Sequence, residues 1–363
     1  MEDLKLLWDK SKESRDIFSL LSDEIMLKIL HNLDMRSLCR ISRVNKRFNN
    51  LSRDLFLYTS LNIRNIYFTY WRANLSNLFD YFTPRCKHLT YLDLSFCYFD
   101  VWKFIIFLST CGTLLKRLIL SSCQSIDDSA LLEISKTYQI LEDLDLSMCG
   151  LINDEGFSHL ENLKCLKRLH LAKIHNIQTE TLRRILQRNR QMRDLNLQST
   201  ERNLNIDQVA IELKNSCLNL KRINLNNAYG NLTSKDINTF ADCKNLQEVN
   251  FGFITTFKNS REYYSRNDLS ELSNSFRRLF SSCQCLEKID LSSYYGCDNS
   301  MNLEMCENLK YLNLSAALTH NTCFKILQCK KLEIINLRYI RGINYSLINQ
   351  WRERYQNVIF IYK

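Results

Sequence analysis

Ten segments of the form L-x-x-L-x-L recur along the chain, beginning at Leu89, Leu115, Leu141, Leu166, Met192, Leu220, Leu246, Leu286, Leu309 and Leu332. Their starts are separated by 26, 26, 25, 26, 28, 26, 40, 23 and 23 residues, and a further apolar run begins at Val358, 26 residues after the tenth. A fixed period of this size describes units that bury their apolar side only by stacking on one another, so the chain is expected to form one elongated solenoid.

Within each segment the leucines alternate with other residues, the period of a strand with one buried face. In the third unit Leu141, Leu144 and Leu146 point inward, while Asp143, Asp145 and Ser147 point outward. Between strands the sequence turns helical, with acidic starts such as Asp127-Asp128, Asn153-Asp154 and Ser234-Lys235-Asp236 that suit free amides and a positive helix end. The expected fold class is therefore α/β, a leucine-rich-repeat solenoid with a parallel inner sheet and outer helices. Its last strand is expected at Val358–Tyr362 as a C-terminal cap.

Reading outward positions down the ladder exposes columns. The position before the second leucine runs Arg117, Asp143, Arg168, Asp194, Arg222, Glu248, Lys288, alternating in sign at every step. Neighbouring strands lie ~4.8 Å apart, so these side chains are expected to pair across the sheet, and a single-sign groove for nucleic acid is not expected. The next outward column is rich in Asp and Asn: Asp145, Asn196, Asn224 and Asn250, with His170 in the same position. These five are candidate substrate contacts. So are Phe253, Phe257, Tyr263 and Tyr264 of the 40-residue step, read as an inserted aromatic loop, and Tyr294 and Tyr339 near it.

The net charge of +10 is spread along the chain, and no apolar run approaches the ~20 residues of a bilayer span. The acidic start (Glu2, Asp3, Asp9, Glu13) suits neither a secretory signal nor a transit peptide, which leads us to expect cytoplasm or nucleus. Most of the 15 cysteines fall at fixed offsets from the repeat leucines, as buried packing residues do, so we expect free thiols rather than disulfides. Cys283-x-Cys285 and the set Cys306, His320, Cys323, Cys329 come nearest to metal ligands, yet their cysteines mostly follow the repeat. Neither phosphate-loop, dinucleotide nor serine-hydrolase motif occurs, so no cofactor and no catalytic residue is expected.

Ahead of the repeats, a tail (1–16) precedes a small all-α module (17–64) and a connecting or capping segment (65–88); the solenoid, of about ten repeats, follows over 89–363. In the module, Ser22 opens a helix with Ile25, Ile29, Leu30 and Leu33, and Asp34 or Ser37 opens another with Leu38, Ile41, Val44, Phe48 and Leu51 at helical spacing. The run Leu21-Ser22-Asp23-Glu24-Ile25…Ile29-Leu30…Leu33…Ser37-Leu38…Val44-Asn45-Lys46-Arg47-Phe48…Leu51…Leu55-Phe56 resembles an F-box. It departs from the usual pattern at Ser22, Ser37, Asn45, Phe48 and Phe56. An F-box before cysteine-rich leucine repeats resembles the F-box/leucine-rich-repeat family of ubiquitin-ligase substrate receptors. That resemblance implies a Skp-type adaptor, a cullin scaffold with its RING protein, and a protein substrate, with no nucleic acid and no integral membrane association. It also implies adaptor contacts at Leu21, Ile25, Ile29, Leu33, Leu38, Val44, Lys46 and Phe48. A mitochondrial association rests on family resemblance alone. The other reading of the residues is a non-ubiquitin scaffold whose N-terminal helices only cap the solenoid.

Overall fold

The computed structural model describes residues 17–64, 76–200, 204–228, 232–253, 257–259, 262–263, 266–294, 302–317, 327, 329–340 and 342–362. His320, Cys323 and Tyr264 lie outside them, as do the tail 1–16 and residues 65–75 of the connecting segment.

Among the described residues, twelve strands form one parallel sheet in chain order: β1 (Ser60–Asn62), β2 (Tyr91–Asp93), β3 (Arg117–Ile119), β4 (Asp143–Asp145), β5 (Arg168–His170), β6 (Asp194–Asn196), β7 (Arg222–Asn224), β8 (Glu248–Asn250), β11 (Lys288–Asp290), β12 (Tyr311–Asn313), β13 (Ile334–Asn336) and β14 (Ile359–Ile361). The register brings each unit's central apolar residue beside the next, from Leu61 and Leu92 through Leu144 and Ile223 to Ile335 and Phe360. All of these are buried, so a one-residue slip would turn the whole column to solvent. The sheet begins at β1, before the first L-x-x-L-x-L segment, because Leu61 pairs with Leu92.

In several units the residue three before the first leucine joins neighbouring units, its polar group reaching a carbonyl of the unit before. Cys217 Sγ lies 3.9 Å from the Leu186 carbonyl, and Cys283 Sγ 3.4 Å from that of Cys243. Tyr138 donates its buried hydroxyl to Leu108 at 2.8 Å, and Asn189 donates to Leu163 at 2.9 Å. Cysteines past the strands do similar work, Cys123 donating to Leu94 at 2.9 Å and Cys149 to Leu120 at 3.1 Å. Burial pushes the Cys149 and Cys217 thiols up to about 12, so they stay protonated as donors at neutral pH.

Helix starts follow the acidic signals in part. Asp127 Oδ1 accepts from the Ala130 amide at 3.1 Å, and Thr233 with Asp236 forms a capping box one residue earlier than Ser234. Asp154, by contrast, accepts from the next unit, from the Gln178 amide at 2.7 Å and the Thr181 hydroxyl at 2.9 Å. The 40-residue step is not merely a loop. It holds a short antiparallel hairpin, β9 (Phe257–Asn259) with β10 (Glu262–Tyr263), and a 17-residue helix, Arg266–Ser282. That helix buries Leu272, Phe276, Leu279 and Phe280.

Candidate functional site

The N-terminal module is built from α1 (Ile17–Leu20), α2 (Asp23–His31), α3 (Met35–Ile41) and α4 (Lys46–Leu51). Side-chain caps start three of them: Ser22 on the Ile25 amide at 3.4 Å, Asp34 on Ser37 at 2.7 Å, and Asn45 on Phe48 at 2.9 Å. Asp34, not Ser37, therefore opens α3. Arg47 ties α4 to the turn before α2, with Nη2 at 2.7 Å from Asp23 Oδ1, Nη1 at 2.7 Å from the Phe18 carbonyl and Nη2 at 2.5 Å from that of Leu21. We predict that Arg47→Ala lowers the stability of this module by about 1–2 kcal/mol, because two carbonyls lose a charged donor. Faster amide exchange confined to residues 17–51 would register it.

Met26, Leu30, Leu38 and Phe48 fill the module's interior, whereas Ile25 and Ile29, one turn apart on α2, remain 46% and 39% exposed. Val44, between α3 and α4, is 64% exposed. Leu20, Phe18 and Phe56 add to this apolar surface. The helices are thus not sealed against the repeats. They join them through Phe56, stacked on His88 at 5.2 Å, and through buried Tyr58, which donates to the Ser52 carbonyl at 2.6 Å.

On the outward face of the sheet the alternating column forms ion pairs. Buried Asp143 lies 2.9 Å from Arg117 and 2.8 Å from Arg168, Asp194 lies 2.7 Å from Arg222, and Glu248 lies 2.9 Å from Lys288. His170 sits between Asp145 at 3.8 Å and Asp194 at 3.5 Å, distances of ion pairs rather than tight hydrogen bonds. Burial alone would lower the imidazole pKa, but the two carboxylates outweigh it and raise it to about 9. Asp145 and Asp194 are held below the usual carboxylate range, burial opposing and His170 prevailing.

A group whose folded pKa exceeds its ordinary 6.5 stabilises the fold fully below 6.5 and loses that contribution as pH rises through about 9. We predict that the stability gap between the parent and His170→Gln narrows by up to about 3 kcal/mol over that interval. Urea melts at each pH would read it.

The Asp/Asn column turns out to be largely structural. Where an Asp or Asn stands there, its Oδ1 accepts the amide two residues on: Asp145 from Ser147 at 2.8 Å, Asn196 from Gln198 at 3.0 Å, Asn224 from Asn226 at 3.0 Å, and Asn250 from Gly252 at 3.2 Å. This Asx turn ends those strands. The residue after it is left-handed in unit after unit, including Phe96, Met148, Phe253 and Tyr339 with φ of 63°, 63°, 55° and 59°. Bulky residues in that conformation are uncommon, and all four are exposed.

An F-box-like family model matches residues 16–64. The protein named F-box/LRR-repeat protein 4 from Bos taurus is 30% identical over 258 residues, which is 70% of this chain and 41% of the bovine one. The chain thus carries an F-box-like module ahead of a leucine-rich-repeat solenoid. It spans less than half the length of that relative. In fold, the F-box/leucine-rich-repeat chain resembles an internalin of Listeria monocytogenes, with a TM-score of 0.51 at 15% identity over 89% of this chain and 86% of the other. It also resembles a chain of the yeast Rad7–Elc1 complex, with a TM-score of 0.50 at 17% identity over 91% and 92%.

Of the expected adaptor contacts in this F-box/leucine-rich-repeat chain, Ile25, Ile29, Val44 and Lys46 are exposed, Leu21 and Leu33 half-buried. Leu38 and Phe48 are buried and pack the module's own core. Among the expected substrate contacts, Asp145, Asn196, Asn224 and Asn250 have an oxygen committed to the turn. Tyr294 is core as well, edge-on to Phe276 at 5.2 Å, because the long helix covers it. Phe253 and Tyr339 remain exposed, and Phe257 and Tyr263 pair in the hairpin backbone. Sequence reasoning missed Phe96 and Met148; the available signal is a large apolar residue three positions past the turn Asp or Asn.

Proposed function

We propose that this chain is the substrate-recognition subunit of an SCF-type ubiquitin ligase. In this reading the F-box module grips a Skp-type adaptor, which links it to a cullin and RING protein, while the repeats hold a protein substrate. The carrying observation is the pair Ile25 and Ile29, with Val44, left exposed on a module whose interior is already filled by Met26, Leu30, Leu38 and Phe48. An apolar helix face of this kind suits a partner helix groove. The mechanism would be proximity: substrate lysines are held near a conjugating enzyme at high effective concentration, and the chemistry belongs to the partners. The exposed, left-handed Phe96, Met148, Phe253 and Tyr339 are the proposed substrate ridge. Free buried thiols suit a reducing compartment, cytoplasm or nucleus.

Tagged full-length chain recovered from cells should bring down adaptor and cullin together, and Ile25→Asp should recover neither. Recovery unchanged by that variant, or no cullin with the parent, would favour a scaffold whose helices only cap the solenoid.

A further inference from the structure

At the entry to the strands, the residue after each first leucine forms a further column: Lys116, Glu142, Lys167, Arg193, Lys221 and Gln247. Backbone bonds set these side by side, the Arg193 amide donating to the Lys167 carbonyl and the Lys221 amide to that of Arg193, both at 2.8 Å. Lys167 pairs with Glu142 at 2.9 Å, but Arg193 and Lys221 follow with no acid between them. The column beside this one keeps its alternation, and like charges directly opposite across a sheet are destabilising. The turns leading into the same strands add Lys164, Arg188 and Arg190, all exposed. Acids on the neighbouring elements are already taken: Glu161 by Arg184 at 2.7 Å, Glu212 by Arg183 at 3.4 Å, Asp194 by Arg222 at 2.7 Å and Asp242 by Lys214 at 2.7 Å. Among the described residues, no carboxylate lies within ion-pair distance of Lys164, Arg188, Arg190, Arg193 or Lys221.

The cluster is also held in place. Asn189, buried between Arg188 and Arg190, accepts the Leu166 amide and donates to the Leu163 carbonyl, each at 2.9 Å. Gln191 donates to the Lys164 carbonyl at 2.5 Å. These three bonds fasten the turn that bears the arginines to the one that bears Lys164, so little backbone ordering is left to do on binding. Leu218 takes, in the next unit, the position that Lys164 and Arg190 hold in theirs, and it is 71% exposed.

We propose that this cluster docks an acidic, extended segment of the protein substrate, with carboxylates on the five cations and one apolar side chain against Leu218. It rests on the reading that the repeats hold a protein substrate, and it lies at the start of the strands, opposite the ridge at their ends. Two unit steps of ~4.8 Å separate Lys164 from Lys221, about 10 Å, which about three or four extended residues cover. Glu142 one unit before and Gln247 with Glu248 one unit after close the cluster. A short segment therefore suits it better than a duplex or a bilayer, which spread their phosphates over a wider surface. Exposed guanidinium forks take carboxylates two bonds at a time, and an apolar contact ringed by charges is a common interface anatomy.

Fluorescence anisotropy of the full chain with a labelled peptide of four glutamates around one leucine should show micromolar binding that weakens as salt is raised. Arg190→Glu and Arg193→Glu should each weaken it at least about tenfold. Leu218→Ser should weaken it less, and Lys330→Glu, exposed at the far end of the solenoid, should leave it unchanged. Melting temperatures should not move, since none of these side chains has a partner to lose. No binding, binding indifferent to both arginine variants, or tighter binding to phosphatidylserine–phosphatidylcholine vesicles or to a short DNA duplex overturns the proposal. A chain that recovers adaptor and cullin yet ignores the peptide overturns this site alone. One that binds the peptide in this pattern without recovering cullin supports the site and counts against the ligase reading.

Discussion

Ile29→Asp is expected to weaken binding of the adaptor by at least about a hundredfold, close to 3 kcal/mol, while leaving the melting temperature of the chain unchanged. Ile29 contributes little to the module's interior, since it is 39% exposed on the flank of α2 beside the buried Met26 and Leu30. A carboxylate there is solvated in the free chain but must be dehydrated in an apolar groove. Val44→Asp should behave alike, since Val44 is more exposed still. Phe48→Ala gives a different signature. Phe48 is buried, so its truncation should cost about 3–4 kcal/mol of module stability, with binding lost only as a consequence of unfolding. Titration calorimetry beside thermal melts separates the two cases. If Ile29→Asp melted early, the residue would be packing rather than contact.

The second large effect is on folding. Asn189 is fully buried, accepts the Leu166 amide at 2.9 Å and donates at 2.9 Å to the carbonyls of both Leu163 and Ile185. Asn189→Ala strands the Leu166 amide and the Leu163 carbonyl in the interior, the Ile185 carbonyl keeping the Asn189 backbone amide at 3.1 Å, and should cost about 2–4 kcal/mol in urea unfolding of the whole chain. Asn189→Cys should cost visibly less, because a thiol serves the equivalent position at Cys217 and Cys283. A change below about 1 kcal/mol for the alanine variant would mean that water replaces the amide.

The repeat was readable because its period follows from stacking, and stacking also dictates the central apolar column, the cysteine offsets and the alternating charges. What stayed hidden needed direction rather than spacing. Asn196, Asn224 and Asn250 alternate with leucines as surface residues do, and only the bond from Oδ1 to the amide two residues on reveals them as turn-formers. In the module both faces of α2 are apolar, so periodicity could not tell that Met26 and Leu30 turn inward while Ile25 and Ile29 turn out. Leu38 and Phe48 were expected at the adaptor from the resemblance, which does not separate core from contact, and both are buried. β1 escaped notice because its unit reads Tyr58-x-x-Leu61-x-Ile63 instead of L-x-x-L-x-L, although all three residues are buried as the leucines are. Tyr294 looked accessible beside an apparent loop until the helix Arg266–Ser282 was seen to cover it.

Side-chain footprinting with hydroxyl radicals addresses the adaptor surface without any mutation. In the free chain Ile25, Ile29 and Val44 should label readily and Leu30 should not. On addition of purified adaptor, the account predicts protection of all three, with labelling at Trp102 and Ile106 on the far helix Val101–Thr110 unchanged. Undiminished labelling of Ile25, Ile29 and Val44 in a chain saturated with adaptor would contradict it.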